Sequence, residues 1–112
     1  MSNEDKVARE CGTGWNKLID PLEKRVEDIG GTVQQIKEKF GGLRLYASPP
    51  PDLNWGTEPA WDALQEDIDQ AETDSFKVCE MCGNKGCLRT TGSWLKTLCD
   101  DDALLLGYKR KA

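Results

Sequence analysis

The chain contains no histidine, and that absence removes a set of chemistries at once. A Cys2His2 finger, an H-x-E zinc deaminase and a His-assisted nucleophile all need an imidazole. A metal bound here must take its donors from cysteine and carboxylate. Long apolar runs are missing too. Hydrophobic residues are 38% of the 112, mean hydropathy is −0.64, and no segment offers the ~20 consecutive apolar residues of a membrane span. No basic stretch followed by an apolar run reads as an export signal, so the expectation is a cytoplasmic protein that does not meet a membrane. Lysine and arginine are absent between Tyr46 and Phe76. Without a histidine, or a carboxylate base placed beside an open metal position, the chain is expected not to be an enzyme.

What is present is unevenly charged. Residues 1–78 carry 9 basic and 16 acidic side chains, and residues 79–112 carry 6 and 4, which together give the net charge of −5. An acidic body disfavours general phosphate binding, which needs Lys and Arg, and suits a basic protein partner.

Four of the five cysteines fall between Cys79 and Cys99, with Cys11 apart near the start. Such clustering is metal spacing and not a disulfide framework. Cys79-Glu80-Met81-Cys82-Gly83 has the form of a zinc knuckle, in which two thiolates converge across a tight turn that Gly83 relieves. Cys87 to Leu98 splits around Thr91-Gly92 as a hairpin. Cys99 then precedes a short helix opened by Asp100-Asp101-Asp102, acids at the positive end of its dipole. Knuckle, hairpin and helix in that order is the layout of a treble-clef zinc finger. A structural zinc wants four donors. Cys79, Cys82 and Cys99 supply three. The fourth is either Asp102, one helical turn past Cys99, or Cys87, which offers the softer sulfur. The competing reading is a reduced thiol cluster without metal.

The rest reads as one small α+β domain: an N-terminal helix plus β-hairpin in 1–48, a Pro-rich linker in 49–57, an acidic helix in 58–76 and the zinc-finger-like module in 77–112. Met1 to Arg9 has no apolar period and is expected to fray. Trp15, Leu18, Ile19, Leu22, Val26 and Ile29 make one helical stripe. Pro21 either starts the main helix, with Asp20 as N-cap, or kinks a helix begun at Gly14. Gly30-Gly31 ends it. Val33–Phe40 and Leu43–Ala47 flank Gly41-Gly42 as a hairpin. Leu43, Leu45 and Ala47 share one face. Arg44, with Lys37 and Lys39, is a candidate basic patch. Trp61, Leu64, Ile68 and Ala71 give the next helix a narrow apolar stripe, with Thr57 as its cap. Glu58, Asp62, Glu66, Asp67, Asp69, Glu72 and Asp74 occupy its other faces. So one-sided an acidic surface suits a basic partner, such as the nucleic-acid channel of another protein.

Three segments, Glu10–Ile19 (ECGTGWNKLI), Ile36–Tyr46 (IKEKFGGLRLY) and Cys79–Ala103 (with CEMCG and WLKTLC), together resemble a group of small proteins from tailed phages and prophages. In that group the position of Asp102 is more commonly His or Cys, and that of Cys87 is generally not a ligand. The resemblance implies a phage origin; the group has no assigned enzymatic activity. With the charge pattern, it leads to the expectation of a phage accessory protein that binds a host protein through the acidic helix. Its expected role is a counter-defence inhibitor of the anti-CRISPR type. The alternative is a nucleic-acid-binding zinc finger in phage transcription or packaging, working through Lys85, Arg89, Lys96, Lys109, Arg110 and Lys111 with Trp94 stacking on a base.

Overall fold

The computed structural model describes residues 6–110 and shows a mixed α+β chain built from two three-stranded sheets and three helices. Among the described residues, no helix is long and apolar enough to cross a membrane.

The first sheet orders as β1 (Arg9–Glu10), β2 (Thr32–Lys39) and β3 (Gly42–Ser48), with β1 parallel to β2 and β2 antiparallel to β3. Arg9 was expected in a frayed end but is a strand residue. Its guanidinium reaches Asn16 at 2.8 Å, Asp20 at 2.7 Å and the buried Glu23 at 3.0 Å, which fixes the backbone against the open edge of β2. Met1 to Asp5 lie outside the described residues.

Helix α1 runs unbroken over Asn16–Ile29 with Pro21 inside it, and Asp20 serves Arg9 instead of capping. Pro21 removes one backbone donor from the second turn, a loss offset by the burial of Ile19, Leu22 and Val26 around it. Gly30, at φ +91, closes the helix in the left-handed conformation. The β2–β3 turn is Phe40-Gly41, both at positive φ (54 and 87), and not Gly41-Gly42. Gly42 is already a strand residue because the ring of Phe76 packs where its Cβ would stand.

Helix α2 spans Glu58–Asp74 and continues as a 3-10 turn over Ser75–Lys77. Thr57 makes no side-chain cap; its hydroxyl accepts from Asn54 N at 3.1 Å within the preceding turn. Trp61, Leu64, Ile68 and Ala71 bury the predicted stripe against α1 and the core face of the sheet, where Trp15, Ile36, Leu43 and Leu45 complete the main core. Helix α2 also seals the outer edge of β3. The Leu43 N–H donates to Ser75 Oγ at 2.9 Å and the Leu45 N–H to Glu72 Oε2 at 3.0 Å.

The second sheet orders β5 (Leu95–Leu98), β4 (Cys87–Thr90) and β6 (Lys109–Arg110), all antiparallel, with α3 (Asp100–Leu106) between β5 and β6. Lys109 and Arg110 of the basic C-terminal run form a third strand on β4, with both side chains exposed.

Candidate metal centre

The knuckle is shaped by its own backbone. Cys79 N donates to Asn84 O at 2.7 Å and Gly83 N to Cys79 O at 2.9 Å, and Gly83 adopts φ +83, so Cys82 turns back beside Cys79. From the other side, β5 delivers Cys99 as the N-cap of α3, and the N–H of Asp102 donates to its Sγ at 3.5 Å. One helical turn brings the Asp102 carboxylate over the three sulfurs.

The four donor atoms of Cys79, Cys82, Cys99 and Asp102 lie within 4.8 Å of one another. Asp102 Oδ2 is 3.2 Å from Cys79 Sγ and 3.3 Å from Cys99 Sγ, and Cys82 Sγ is 3.6 Å from Cys99 Sγ. A tetrahedron with Zn–S of ~2.3 Å and Zn–O of ~2.1 Å has edges of about 3.8 Å between sulfurs and about 3.6 Å from sulfur to oxygen. These three separations match to within a few tenths of an ångström, and all five cysteines are free. The donor set fits a closed four-coordinate ion, and its three thiolates are consistent with zinc.

The charges agree. Hydrogen bonds from the thiols of Cys79, then Cys82 and Cys99, hold the Asp102 carboxyl below the usual carboxylate range. The backbone N–H of Asn84 favours the Cys82 thiolate. Desolvation and the neighbouring Cys79, Cys99 and Asp102 outweigh it and push that thiol up to about 12 in the metal-free protein.

Cys87 stands apart, paired opposite Leu98 in the β4–β5 ladder and outside the donor group. Cys87→Ala is therefore expected to keep one metal ion per chain in native mass spectrometry. Asp102→Ala is expected to weaken retention at least about 100-fold, because outer partners of a metal ligand alone are worth 10–100-fold. Metal lost from Cys87→Ala and kept by Asp102→Ala would reverse the assignment.

The knuckle is seated on the N-terminal segment Gly12–Trp15. Gly14 N donates to Glu80 O at 2.7 Å, Trp15 Nε1 to Val78 O at 2.8 Å and Lys17 Nζ to Gly83 O at 2.5 Å. Glu80, inside the knuckle, is 2% exposed. Its carboxylate accepts from Gly12 N at 2.9 Å and from Lys96 Nζ at 3.0 Å. Burial works against the Lys96 charge, but Glu80 and then Glu38 outweigh it and hold the ammonium above the ordinary lysine value. Thr97 Oγ1 donates to Gly41 O at 2.7 Å, joining β5 to the tip of the first hairpin. Sequence reasoning did not find Glu80 as the centre of this seam. The available signal was Gly12-Thr13-Gly14-Trp15, two glycines that permit close backbone approach.

The structure divides the acidic residues of α2. Glu58, Asp62, Glu66 and Asp69 are exposed, and at 100° per residue they fall within an arc of about 80° over roughly 16 Å of helix. Asp67 pairs with Arg25 at 2.5 Å, Glu72 serves β3 and lies 3.8 Å from Arg44, and Asp74 accepts from Gln70 at 2.9 Å. The basic C-terminal end is depleted in the same way. Arg89 is buried, donating to Leu98 O at 2.9 Å and pairing with Asp100 at 2.5 Å, and Lys96 is committed to Glu80. Lys85, Lys109 and Arg110 remain exposed, Trp94 is 72% exposed, and Lys111 lies outside the described residues. Comparison with protein-family models, curated proteins and solved structures returned no match.

Proposed function

We propose that the chain is a phage accessory protein whose C-terminal part is a treble-clef-type module stapled by one structural zinc, and that it acts by binding a host protein. The reading rests on the outward stripe of Glu58, Asp62, Glu66 and Asp69. No Lys or Arg falls between Tyr46 and Phe76 to neutralise it. Carboxylates in a row on a rigid helix present regularly spaced negative charge, which complements a basic groove evolved for phosphates. A counter-defence inhibitor that occupies such a groove, in the manner of an anti-CRISPR protein, is the specific form this chemistry favours. The zinc serves stability in this scheme: it joins knuckle to helix α3 and closes its coordination with four protein donors.

The second reading, a nucleic-acid-binding zinc finger, loses support from the internal pairing of Arg89 and Lys96.

The test is affinity capture from host lysate with the wild-type chain and with Glu58→Gln, Asp62→Asn, Glu66→Gln and Asp69→Asn combined. The expected result is a captured protein that nucleic acid displaces, and at least tenfold less of it on the neutralised variant. Capture that is indifferent both to the four substitutions and to added nucleic acid would overturn the reading.

A further inference from the structure

The face of the first sheet turned away from the helices is chemically unlike the rest of this acidic chain. Strand alternation places Gln35, Lys37 and Lys39 of β2 on it, with Arg44 and Tyr46 of β3 directly opposite Lys37 and Gln35. Lys37 Nζ lies 5.8 Å from the centre of the Tyr46 ring, and Lys39 Nζ lies 5.5 Å from that of Phe40. Neither lysine has a carboxylate within 4.0 Å among the described residues. Glu10 is an acid on this face, held by Gln35 Nε2 at 3.3 Å, and Glu72 Oε1 lies 3.8 Å from the Arg44 guanidinium.

Two shallow grooves border this face. One is lined by Glu10, Gln35, Lys37 and Tyr46, and the other, at the hairpin tip, by Glu38, Lys39, Phe40, Thr90 and Trp94. Lys37 and Lys39, one in each groove, are about 7 Å apart along β2. Each groove thus combines a cation with an aromatic ring that core packing does not use: Tyr46 is 44% exposed, Phe40 66% and Trp94 72%. Phe40 itself sits at a positive φ of 54, in the turn.

We propose that this open sheet face binds single-stranded nucleic acid, with Tyr46, Phe40 and Trp94 as stacking platforms and Lys37, Lys39 and Arg44 as phosphate contacts. Flat rings spaced among cations are the surface that tracks an unpaired strand without reading its sequence. Duplex is disfavoured because its stacked bases offer no free faces to the rings. The site is separate from the acidic stripe of α2 and does not depend on its role.

Fluorescence anisotropy with labelled oligo-dT and oligo-U, using the full zinc-loaded chain, tests the proposal. Three phosphate contacts give a log–log salt slope of about −2, a loss of about 20-fold in affinity between 50 and 200 mM salt. Lys37→Gln, Lys39→Gln and Arg44→Gln combined should flatten that slope. Trp94→Ala should weaken binding about tenfold, and neutralising α2 should leave it intact. If the triple variant does not fold, quenching of tryptophan emission by the oligonucleotide in wild type, and its loss in Trp94→Phe, decides instead. Absence of binding at 50 mM salt overturns the proposal. Binding lost only on substitution of Lys85, Lys109 and Arg110 also overturns it, as does equal affinity for poly-glutamate, which would make the partner an acidic protein.

Discussion

Stripping the metal with a chelator, or substituting Cys99→Ser, is expected to unfold the chain from Val78 to Tyr108 while leaving α1, β2, β3 and α2 folded. The reason is the size of the second core. Its apolar core is only Cys79, Leu98 and Ala103, with Cys99 and Tyr108 packed against them, and two of these five belong to the candidate donor group. A core so small cannot offset the conformational entropy of ordering about 30 residues. Structural zinc in comparable modules contributes an apparent 10–16 kcal/mol, most of it realised as folding. The first core, spread over eleven buried residues from Trp15 to Ala71, does not include the site. Hydrogen exchange should show protection lost in β4, β5 and α3 and kept in β2 and α2. The leading thermal transition should fall by more than about 15 °C, since each kcal/mol moves a domain of this size by roughly 4–8 °C. Equal protection with and without metal would mean that the thiol cluster holds itself.

The pH dependence of that loss has a definite sign. Thiols must release their protons to bind metal, and the Cys82 thiol sits at about 12 in the metal-free protein. Metal affinity therefore falls as pH falls, roughly tenfold per pH unit for each proton displaced. Asp102 acts in the same direction from a lower range. Its folded value is depressed, so its contribution is complete above about pH 4 and disappears as pH drops through the folded value.

Gly14→Ala is the second substitution expected to have a large effect, although Gly14 supplies no donor atom to the candidate metal centre. A Cβ at this position meets Cys79 O, and stands 2.5 Å from Glu80 O and 2.6 Å from Glu80 C. These are backbone atoms of the knuckle, which cannot rotate away. Either the segment or the knuckle must move. The Gly14–Glu80 and Trp15–Val78 hydrogen bonds and the Gly12 contact to the Glu80 carboxylate are then lost together. Overpacking of about 1–3 kcal/mol plus two or three hydrogen bonds of about 1 kcal/mol gives a cost of roughly 3–6 kcal/mol. Gly92→Ala is the comparison, because Gly92 has a positive φ of 106 but nothing within 4 Å of its Cβ. It should cost only the 1–2 kcal/mol of backbone strain. Denaturant melts of the two variants, read by tryptophan fluorescence, separate steric exclusion from lost flexibility. Similar destabilisation in both would show that the seam yields.

The helices, both hairpins and the cysteine–aspartate group were legible because each is encoded locally. Periods of 3.6 and 2, a glycine at a helix end and C-x-x-C-G all lie within a few residues of what they build. What was not legible depends on partners distant in sequence. The pairing of Arg9 with β2 is set by Asp20 and Glu23, and the strand at Lys109-Arg110 by the free edge of β4. The burial of Glu80 requires Gly12, 68 residues away. Charge misled for the same reason. Arg89 and Lys96 look like surface cations in sequence, but Asp100 and Glu80 turn them inward. Local periodicity places a residue on a face of its own element and carries no information about what covers that face.

The edge of β3 has a consequence for how this protein can meet others. Its outward amide hydrogens are taken by Ser75 Oγ and the Glu72 carboxylate, and the opposite margin of the sheet is a two-residue strand. An extended peptide finds the Leu43 and Leu45 donors already taken. Strand addition is blocked along this stretch of the β3 edge, as is edge-to-edge stacking there, and the protection comes from a neighbouring helix instead of from proline or lysine within the strand. A complex built on that edge must form through side chains, and Glu72 is already spoken for before a partner arrives.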